Sequence, residues 1–333
     1  MKMKRVTRLF VSFMLLAPAG FVANGQDAIT DFLNAGVADG NKLAEAYFRP
    51  YGEMFGANLN AGWYNSAKVH GVLGFDITFQ VSSTFAPSSK KNYDVNSLGL
   101  EAFEVSPGST SIGPTIVGKS DNLPMLNPKV EGGEYASFSV PDGTGFNIFA
   151  APMIQGAVGL PLHTEVMVRF LPKVGYKDYG SIGLWGLGVK HSIKEYIPFI
   201  KRFPIWNLSV MGAYTKLDGT GTVTYGGSEG NLEIGSSAYT VRLLGGVNLP
   251  IVAFYAGFGY SNAASTFDLM GTFNDVPGMN GAAVTNPIAL KYDEGSYDFN
   301  IGTRLRFGIF AIHADYTVGE YNMVTAGFGF NFR

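Results

Sequence analysis

Several segments of this chain alternate apolar and polar side chains with a period of two, and no other feature limits the possible folds as strongly. The stretch HGVLGFDITFQVSS, which begins at His70, places large apolar side chains at every second position from Leu73 to Val81. The same alternation returns in WNLSVMGAYTK, YTVRLLGGVNL and YDFNIGTRLRF. Such a pattern predicts strands of about ten residues with one apolar and one polar face.

The alternation and its interruptions give an all-β chain. Bacterial single-chain membrane barrels have even strand numbers, so one more strand is expected within 107–146, for a total of about twelve. The segments predicted directly as strands lie near residues 70–83, 97–106, 147–158, 163–172, 180–190, 205–216, 237–249, 251–262, 295–306, 309–318 and 323–332.

The first 25 residues have the three parts of a secretory signal. Four cations precede an apolar stretch from Leu9 to Leu16, and small residues lead to a cleavage site after Gly25. A spanning helix fits less well, because Pro18 and Gly20 interrupt the apolar stretch well short of ~20 residues. Cleavage leaves 20 basic against 26 acidic residues, so no nucleic-acid partner is expected. Cysteine is absent, which excludes disulfides and thiolate metal sites.

The links between the predicted strands differ in length in an ordered way. Short links, such as 160–163 and 248–251, alternate with long polar ones at 107–146, 217–236 and 263–294. Short periplasmic turns and long external loops are typical of outer-membrane barrels. One link, 191–205, is long although it falls on the short-turn side, and we predict a small helix there that ends at Pro198.

Alternation alone does not say which face lies inside. A soluble lipocalin-type barrel buries the apolar face, whereas a membrane barrel turns it outward. Opposed charges at the polar positions and aromatic residues near strand ends favour the membrane barrel. The chain also ends on a strand, 323–333, that carries Phe328, Phe330 and Phe332 on one face. This strand resembles the C-terminal signal for the barrel-assembly machinery, although Arg333 follows the last aromatic residue.

Residues 26–66 differ from the rest of the chain. Apolar side chains at helical spacing from Ile29 to Val37 and from Leu43 to Phe48 predict helices, with Pro50 as the stop. A short apolar helix needs a surface to bury against, and the barrel interior is the nearest. We therefore expect a signal peptide (1–25), an N-terminal plug (26–66) and a barrel (67–333). The plug aromatics either line an apolar binding pocket or pack the plug against the wall: Tyr47, Phe48, Tyr51, Phe55, Trp63 and Tyr64.

Charged residues at polar strand positions are candidates for the barrel interior. Arg242, Arg304 and Arg306 either hold a substrate carboxylate or form salt bridges with Asp298 or Asp315. The salt bridges are the simpler interpretation.

His313 lies two residues from Asp315, and a His–carboxylate pair can act as a general base. No serine nucleophile with an oxyanion setting can be placed beside it, so polar packing is favoured and the chain is not predicted to be an enzyme. The four histidines lack metal-ligand spacing, and no cofactor is expected.

The stretches NAGWYNSA and PMIQGAVGLPLHTEVMVRFLP resemble a family of Gram-negative outer-membrane barrels. That family is similar in layout to the long-chain fatty-acid and hydrocarbon transporters of the FadL/TodX type. The resemblance implies a helical hatch in the barrel, fourteen strands as an alternative to twelve, and a kinked strand through which an apolar substrate leaves sideways. Where those transporters carry Asn-Pro-Ala, this chain has Asn60-Ala61-Gly62. A comparable kink is expected at Pro152 and Gly156, since proline removes a ladder donor and glycine weakens a strand.

The expected function is passive uptake of small hydrophobic, fatty-acid-like molecules across the outer membrane of a Gram-negative bacterium. The expected partners are outer-membrane lipid, the assembly machinery and a small hydrophobic ligand. One alternative is a structural or interaction barrel that acts through the loops 107–146 and 263–294. A barrel hydrolase that uses His313 is the third hypothesis.

Overall fold

The computed structural model of the protein describes residues 28–130, 133–176 and 180–332. The predicted signal peptide and Arg333 lie outside these residues. The strands of the described chain are β1 (Phe75–Phe85), β2 (Asn92–Asp94), β3 (Phe103–Val105), β4 (Ile112–Pro114), β5 (Met125–Pro128), β6 (Phe138–Ser139), β7 (Ile148–Leu160), β8 (Thr164–Tyr176), β9 (Gly180–Ser192), β10 (Trp206–Tyr225), β11 (Ser228–Asn248), β12 (Val252–Met270), β13 (Thr272–Phe273), β14 (Val284–Thr285), β15 (Ile288–Phe307), β16 (Phe310–Val318) and β17 (Asn322–Phe332).

Ten of these strands form a closed antiparallel barrel, in the order β1-β17-β16-β15-β12-β11-β10-β9-β8-β7. The last strand closes the barrel on the first, with Phe75 opposite Phe332 and their rings stacked 4.7 Å apart. Each barrel strand therefore pairs with a neighbour on both sides along at least part of its length, which closes the ring.

The predicted strand number, about twelve or possibly fourteen, is wrong. The predicted strand near 97–106 is not part of the barrel, and 107–146 contributes no barrel strand. Short strands between β1 and β7 form two small sheets that are not part of the barrel, β2–β4 and β3–β5–β6. Two to four residues cannot span a barrel wall, so these apolar stretches pack as a cap at the long-loop end.

Two predicted long loops are also mostly strand. β10 and β11 continue to Tyr225 and Ser228, which are joined by Gly226 and Gly227, both at positive φ. Glycine adopts this conformation without steric cost, which suits a two-residue hairpin. The expected loop 217–236 is therefore a hairpin. The expected loop 263–294 is shortened by the ends of β12 and β15 and by the hairpin β13–β14.

A long helix, α1 (Gly36–Asn60), follows a helical stretch at 28–33. The prediction that Pro50 stops this helix is wrong, because Pro50 lies inside it. Proline breaks one intrahelical hydrogen bond, and the hydroxyl of Tyr292 donates to the Glu45 carbonyl next to that break, at 3.1 Å. None of the described helices is both long and apolar enough to span a bilayer.

The predicted helix in 191–205 is present but does not end at Pro198. A 3-10 turn covers Lys194–Tyr196, and the short helix α2 (Pro198–Lys201) begins at the proline. Proline at the first position of a helix loses no hydrogen bond, which explains the reversal. Two further 3-10 turns, Ser88–Lys90 and Val95–Leu98, lie in the cap.

The outer face of the barrel is apolar in a band between its two ends. A first aromatic ring lies toward the long-loop end on β9, β10, β11, β12 and β15, and it consists of Trp185, Tyr214, Tyr239, Tyr260 and Tyr297. The ring centroids of the pairs Trp185–Tyr214, Tyr239–Tyr260 and Tyr260–Tyr297 are 5.8, 6.5 and 5.2 Å apart. A second ring, at the short-turn end, includes Phe75, Trp206, Phe307, Phe310 and Phe332. Between the rings the outward residues are large and apolar: Ile77, Val168, Leu187, Val189, Val210, Val241, Leu243, Phe258, Phe299, Ile301 and Ile312. Beyond the first ring they become polar, as at Lys216, Glu233 and Lys291.

Candidate functional site

The interior of the barrel holds α1 and the segment that follows it, and these bring most of the predicted site residues together. Tyr47, Phe48, Tyr51 and Phe55 lie on α1 and belong to one buried apolar cluster. Their rings contact one another and the wall, with Tyr47 and Phe48 4.9 Å apart and Phe55 4.3 Å from Phe149. These side chains pack the helix against the wall, which was one of the two interpretations of the sequence.

Glycines on α1 allow the helix to approach the wall closely. A methyl group at Gly52 would lie 2.2 Å from a ring carbon of Tyr292, and one at Gly56 would lie 2.3 Å from the Cβ of Ala263. The hydroxyl of Ser265 donates to the Gly52 carbonyl at 2.9 Å. The contact with β12 and β15 therefore depends on the absence of side chains on this face of the helix.

The C-terminal end of α1 is held by Arg169, which extends inward from β8. Its guanidinium donates to the carbonyls of Leu59 and Ala61, at 3.1 and 2.8 Å, and lies 4.1 Å from the centre of the Trp63 ring. The last carbonyls of a helix carry partial negative charge, so a cation is stabilised there. Arg169 is fully buried. It thereby fixes the helix end to the wall.

Trp63 and Tyr64 belong to a second buried cluster, separate from the cluster around α1. Trp63 sits against the inner face of β9, where a Cβ at Gly186 would lie 3.0 Å from its ring. Tyr64 packs edge-on against Tyr255, with centroids 5.7 Å apart, and its hydroxyl donates to Asn300 Oδ1 at 3.2 Å. All six predicted aromatic residues are thus buried inside the barrel.

The predicted interior charges are only partly brought together. Arg242 and Asp298 form a buried bidentate pair, with nitrogen–oxygen distances of 2.5 and 2.7 Å. Ser261 donates to the same carboxylate at 3.0 Å. This geometry satisfies the guanidinium within the wall. Arg306, by contrast, is exposed at the short-turn end and donates to the Gly308 carbonyl at 3.1 Å.

His313 and Asp315 both point inward and are buried, but they have different surroundings. Asp315 accepts hydrogen bonds from Asn300 Nδ2 at 2.8 Å and from the Tyr255 hydroxyl at 3.2 Å. His313 Nε2 has no hydrogen-bond partner among the described residues, and neither has Nε of Arg304, its neighbour across the strands. The described contacts therefore do not include the His–carboxylate hydrogen bond that a general base of this kind uses.

Charged side chains connect the N-terminal segment to the barrel at the short-turn end and to the cap at the long-loop end. At the short-turn end, Glu165 on β8 contacts His70 Nδ1 at 2.6 Å and Lys190 Nζ at 2.8 Å. At the long-loop end, Asp39 on α1 accepts backbone hydrogen bonds from three consecutive residues of the cap, 101–103, at 2.7–3.2 Å. Both sets tie α1 and the following segment to residues distant in sequence.

A third set of charges links α1 to the loop between β16 and β17. Lys90 Nζ lies 2.8 Å from Glu53 and 2.7 Å from Glu320, and the Tyr321 hydroxyl donates to Glu53. Burial lowers the pKa of Lys90, but hydrogen bonds with Glu320 and Glu53 outweigh it and raise the pKa overall. Hydrogen bonds with Glu294 and then Lys90 lower the pKa of Glu320.

One group of carboxylates could offer oxygen ligands to a metal ion. Carboxylate oxygens of Glu53, Glu294 and Glu320 lie within 4.8 Å of one another. The Lys90 ammonium contacts two of the three and compensates their charge.

The wall is interrupted next to Pro152. Strand β7 pairs with β1 without a break from Ile148 to Val158, but its register with β8 stops at Ile154 opposite Phe170. Continued by two residues, this register would set Pro152 opposite Pro172, and neither proline has an N–H to donate. We call the stretch where 148–153 and 171–176 are not paired with each other the β7–β8 seam. Gly156, the other predicted kink residue, lies where β7 is paired on both sides.

The side chains behind the seam are apolar. Met153 and Leu171 are buried and belong to the same cluster as Phe55 and Phe149. On β8, a register shift between Leu171 and Val174 accompanies Pro172. The bulge and the two prolines together explain why pairing ends here.

Several of these residues were missed by sequence reasoning. Arg169 and Glu165 occupy inward positions in TEVMVRFLP, where they alternate with Val166 and Val168. The alternation could have identified both as interior charges. Pro172 also lies in that stretch and could have been compared with Pro152.

The protein is a closed antiparallel barrel with an apolar band on its outer face, aromatic rings at both edges of the band and polar side chains inside. This is the architecture of transmembrane β-barrels. The chain belongs to the Family of unknown function (DUF6588), whose model matches residues 3–332. No curated protein sequence matches the chain.

Among solved structures, the chain is similar to the translocator domain of the autotransporter NalP from Neisseria meningitidis, with 11% identity and a TM-score of 0.35 over 87% of this chain and 99% of that chain. It is similar to Ail, the attachment invasion locus protein of Yersinia pestis, with 9% identity and a TM-score of 0.27 over 79% and 100%. It is also similar to the toluene transporter TodX of P. putida, with 7% identity and a TM-score of 0.28 over 84% and 94%.

Proposed function

We propose that the protein is an outer-membrane barrel through which small hydrophobic molecules enter passively, and that residues 26–66 act as its plug. The molecules pass between the plug and the wall and leave sideways through the β7–β8 seam. The observation that carries this proposal is the seam itself, because it combines an interrupted strand pairing with an apolar lining.

The outer face supports the membrane location. Apolar residues lie between two aromatic rings, and polar residues follow beyond the ring at the long-loop end. Transmembrane barrels carry such girdles at the two interfaces. Their short turns are periplasmic, so we propose that the cap and the long strand extensions lie outside the cell. The signal peptide expected at 1–25 agrees with export.

The packing inside supports a plug. The helix α1 fills the space between β11, β12 and β15 on one side and Phe149 on the other. The cap is fastened to the same helix through Asp39 and through Tyr47, whose hydroxyl donates to the Asp142 carbonyl at 2.9 Å. A helix that fills the barrel in this way would obstruct the flow of ions, as a plug must.

The seam supports a sideways exit. Backbone groups of residues 148–153 on β7 are not paired with β8. The two strands can therefore separate there without breaking hydrogen bonds between them. Pro152 lies opposite Val81 of β1, on the long-loop side of the stretch 154–160 where β7 is paired with β8.

Deletion of residues 27–66 tests the plug. In planar bilayers the deletion variant is expected to conduct ions at least tenfold better than the intact barrel, because the lumen then fills with water. The heat-dependent shift of the folded barrel on a detergent gel serves as the control for folding. A folded deletion variant with unchanged conductance would contradict the plug.

Uptake of the hydrophobic dye phenylnaphthylamine, followed by its fluorescence in cells of a Gram-negative host, tests transport. Cells that carry the barrel are expected to take up the dye several-fold faster than cells without it. Equal rates would count against transport and favour the interaction barrel, whose capped end presents the exposed Val130 and Phe146. A barrel hydrolase has less support, because the described contacts include no His313–Asp315 hydrogen bond.

A further inference from the structure

The link between β9 and β10 exposes an unusual number of large apolar side chains. This link, residues 193–205, is the long one at the short-turn end of the barrel. Tyr196 and Phe199 are each 67% exposed, and Phe203, Ile205 and the adjoining Trp206 are 41–48% exposed. Contiguous apolar surface of this kind marks an interaction site in most proteins.

The exposed row continues the apolar band of the barrel. Phe199 and Phe203 have ring centroids 5.4 Å apart, and Phe203 lies 5.9 Å from Trp206. Trp206 begins β10 and belongs to the aromatic ring at the short-turn end, opposite Val247 of β11. The row therefore extends a surface that already faces lipid, without a polar break.

Cations accompany the aromatic side chains. The link contains Lys194, Lys201 and Arg202 but one acidic residue, Glu195. Lys201 lies 3.6 Å from Glu195 and still keeps 61% of its side chain exposed. The link thus carries an excess of two positive charges next to exposed rings. Aromatic and basic side chains in this combination suit an interface with anionic lipid.

We infer that the link 193–205 is an interfacial lipid anchor that inserts its aromatic row into the inner leaflet and binds the phosphate of anionic phospholipids through Lys201 and Arg202. The inference rests on the proposed membrane location of the barrel but not on transport. A lipid partner is favoured over a protein partner because the row is continuous with the apolar band and the cations lie beside it.

The experiment uses the full chain, which has no native cysteine, so one introduced cysteine gives one labelled site. Phe199→Cys carries a bimane fluorophore, and the barrel is reconstituted in phosphatidylcholine vesicles. Two matched positions serve as controls: Val241→Cys in the middle of the apolar band, and Lys291→Cys beyond the aromatic ring. Brominated phosphatidylcholine reports contact with lipid, and iodide reports contact with water.

The label at position 199 is expected to be quenched by brominated lipid, as at 241, and to be shielded from iodide, unlike at 291. Quenching of 199 by iodide would place the link in water and overturn the inference. Shielding from both quenchers would mean that protein covers the link, which also overturns it. If the label at 241 were not quenched by lipid, the membrane location itself would fail.

The anionic preference is tested with brominated phosphatidylglycerol at the same mole fraction as brominated phosphatidylcholine. Each cation near a bilayer surface is expected to enrich anionic lipid about fivefold, so quenching by phosphatidylglycerol should be stronger at low salt. The double variant K201Q/R202Q, in the F199C background, should lose this preference but keep quenching by lipid. An equal response to both lipids before the substitution would overturn the phosphate site.

Discussion

The two sides of the barrel wall differ in a way that suggests separate roles. On one side, β10, β11, β12 and β15 are 19 to 21 residues long and pair without interruption. On the other side, β7 and β8 are 13 residues long and share a register of seven pairs that ends before Pro152 and Pro172. We call these the long-strand side and the seam side.

The helix α1 is attached unequally to the two sides. On the long-strand side, Gly52 and Gly56 lie in close contact with Tyr292 and Ala263. On the seam side, the Phe55 ring of the helix contacts the Phe149 ring of β7. Close packing without intervening side chains is rigid, whereas contacts between apolar side chains can rearrange at lower cost. This difference is what the proposed plug requires if it is to stay in place while the β7–β8 seam opens.

Arg169 is the main exception, since it fastens the helix end to the seam side. Arg169→Met keeps the length of the side chain but leaves the carbonyls of Leu59 and Ala61 without its donors. We expect a loss of about 2–4 kcal/mol in the free energy of unfolding, measured by urea titration in detergent micelles. Arg306→Met is the matched control, because Arg306 is exposed and should change stability by less than ~0.5 kcal/mol. Equal losses in both variants would contradict the role of Arg169.

The close contact on the long-strand side is tested at Gly56. Gly56→Ala places a methyl group 2.3 Å from Ala263 Cβ and should cost about 1–3 kcal/mol of unfolding free energy. The second substitution, Ala263→Gly, removes the opposing methyl group and should restore most of this loss in the double variant. A Cβ at Gly71 meets no atom within 4 Å, so Gly71→Ala is a neutral control. Failure of Ala263→Gly to rescue would mean that the two positions are not coupled.

The seam should close when its prolines are replaced. The double variant Pro152→Val/Pro172→Val supplies two N–H donors and two good strand formers, so β7 and β8 can pair further. We expect the uptake of phenylnaphthylamine to fall about tenfold, equivalent to ~1.4 kcal/mol, while the folded barrel persists on a detergent gel. Slower amide hydrogen exchange in 149–153 would report the new pairing. Unchanged uptake despite slowed exchange would rule out the seam as the exit.

Most of the barrel strands could be predicted from the sequence. Ten of the eleven segments predicted as strands correspond to barrel strands, because alternation records which side chains face each way. Alternation does not distinguish strands of the barrel from strands outside it. The stretch near 97–106 is apolar because it packs in the cap, and a short apolar run looks the same in both settings.

The contacts of the site were less predictable. Arg169 binds carbonyls more than 100 residues away, and backbone carbonyls leave no signature in a sequence. Where α1 continues through Pro50 it is packed against the wall, and the Tyr292 hydroxyl donates to the Glu45 carbonyl there. Propensity is overridden by tertiary contacts of this kind. The seam involves both Pro152 and Pro172. That these two prolines would face each other follows from the register of β7 and β8, which the sequence alone does not define.

The smallest expected effect concerns the ion pairs that join α1 to the β16–β17 loop on the long-strand side. The pKa of Glu320 is lowered in the folded state, so this carboxylate stabilises the fold above its unfolded pKa of about 4.3, and that contribution is lost as the pH falls through the folded value. The pKa of Lys90 is raised, so its contribution is lost at the opposite, alkaline end. Both side chains are partly exposed, which limits the effect to less than ~1 kcal/mol. Acidification from pH 6 to pH 3 should therefore lower the protection factor of amides 319–321 in the wild-type protein, which is the exchange rate of an unstructured peptide divided by that of the protein at the same pH. Glu320→Gln should remove most of that change. Glu233→Gln, an exposed substitution on β11, should leave that change intact. Equal protection factors at both pH values in the wild-type protein would show that these ion pairs do not hold the helix to the wall.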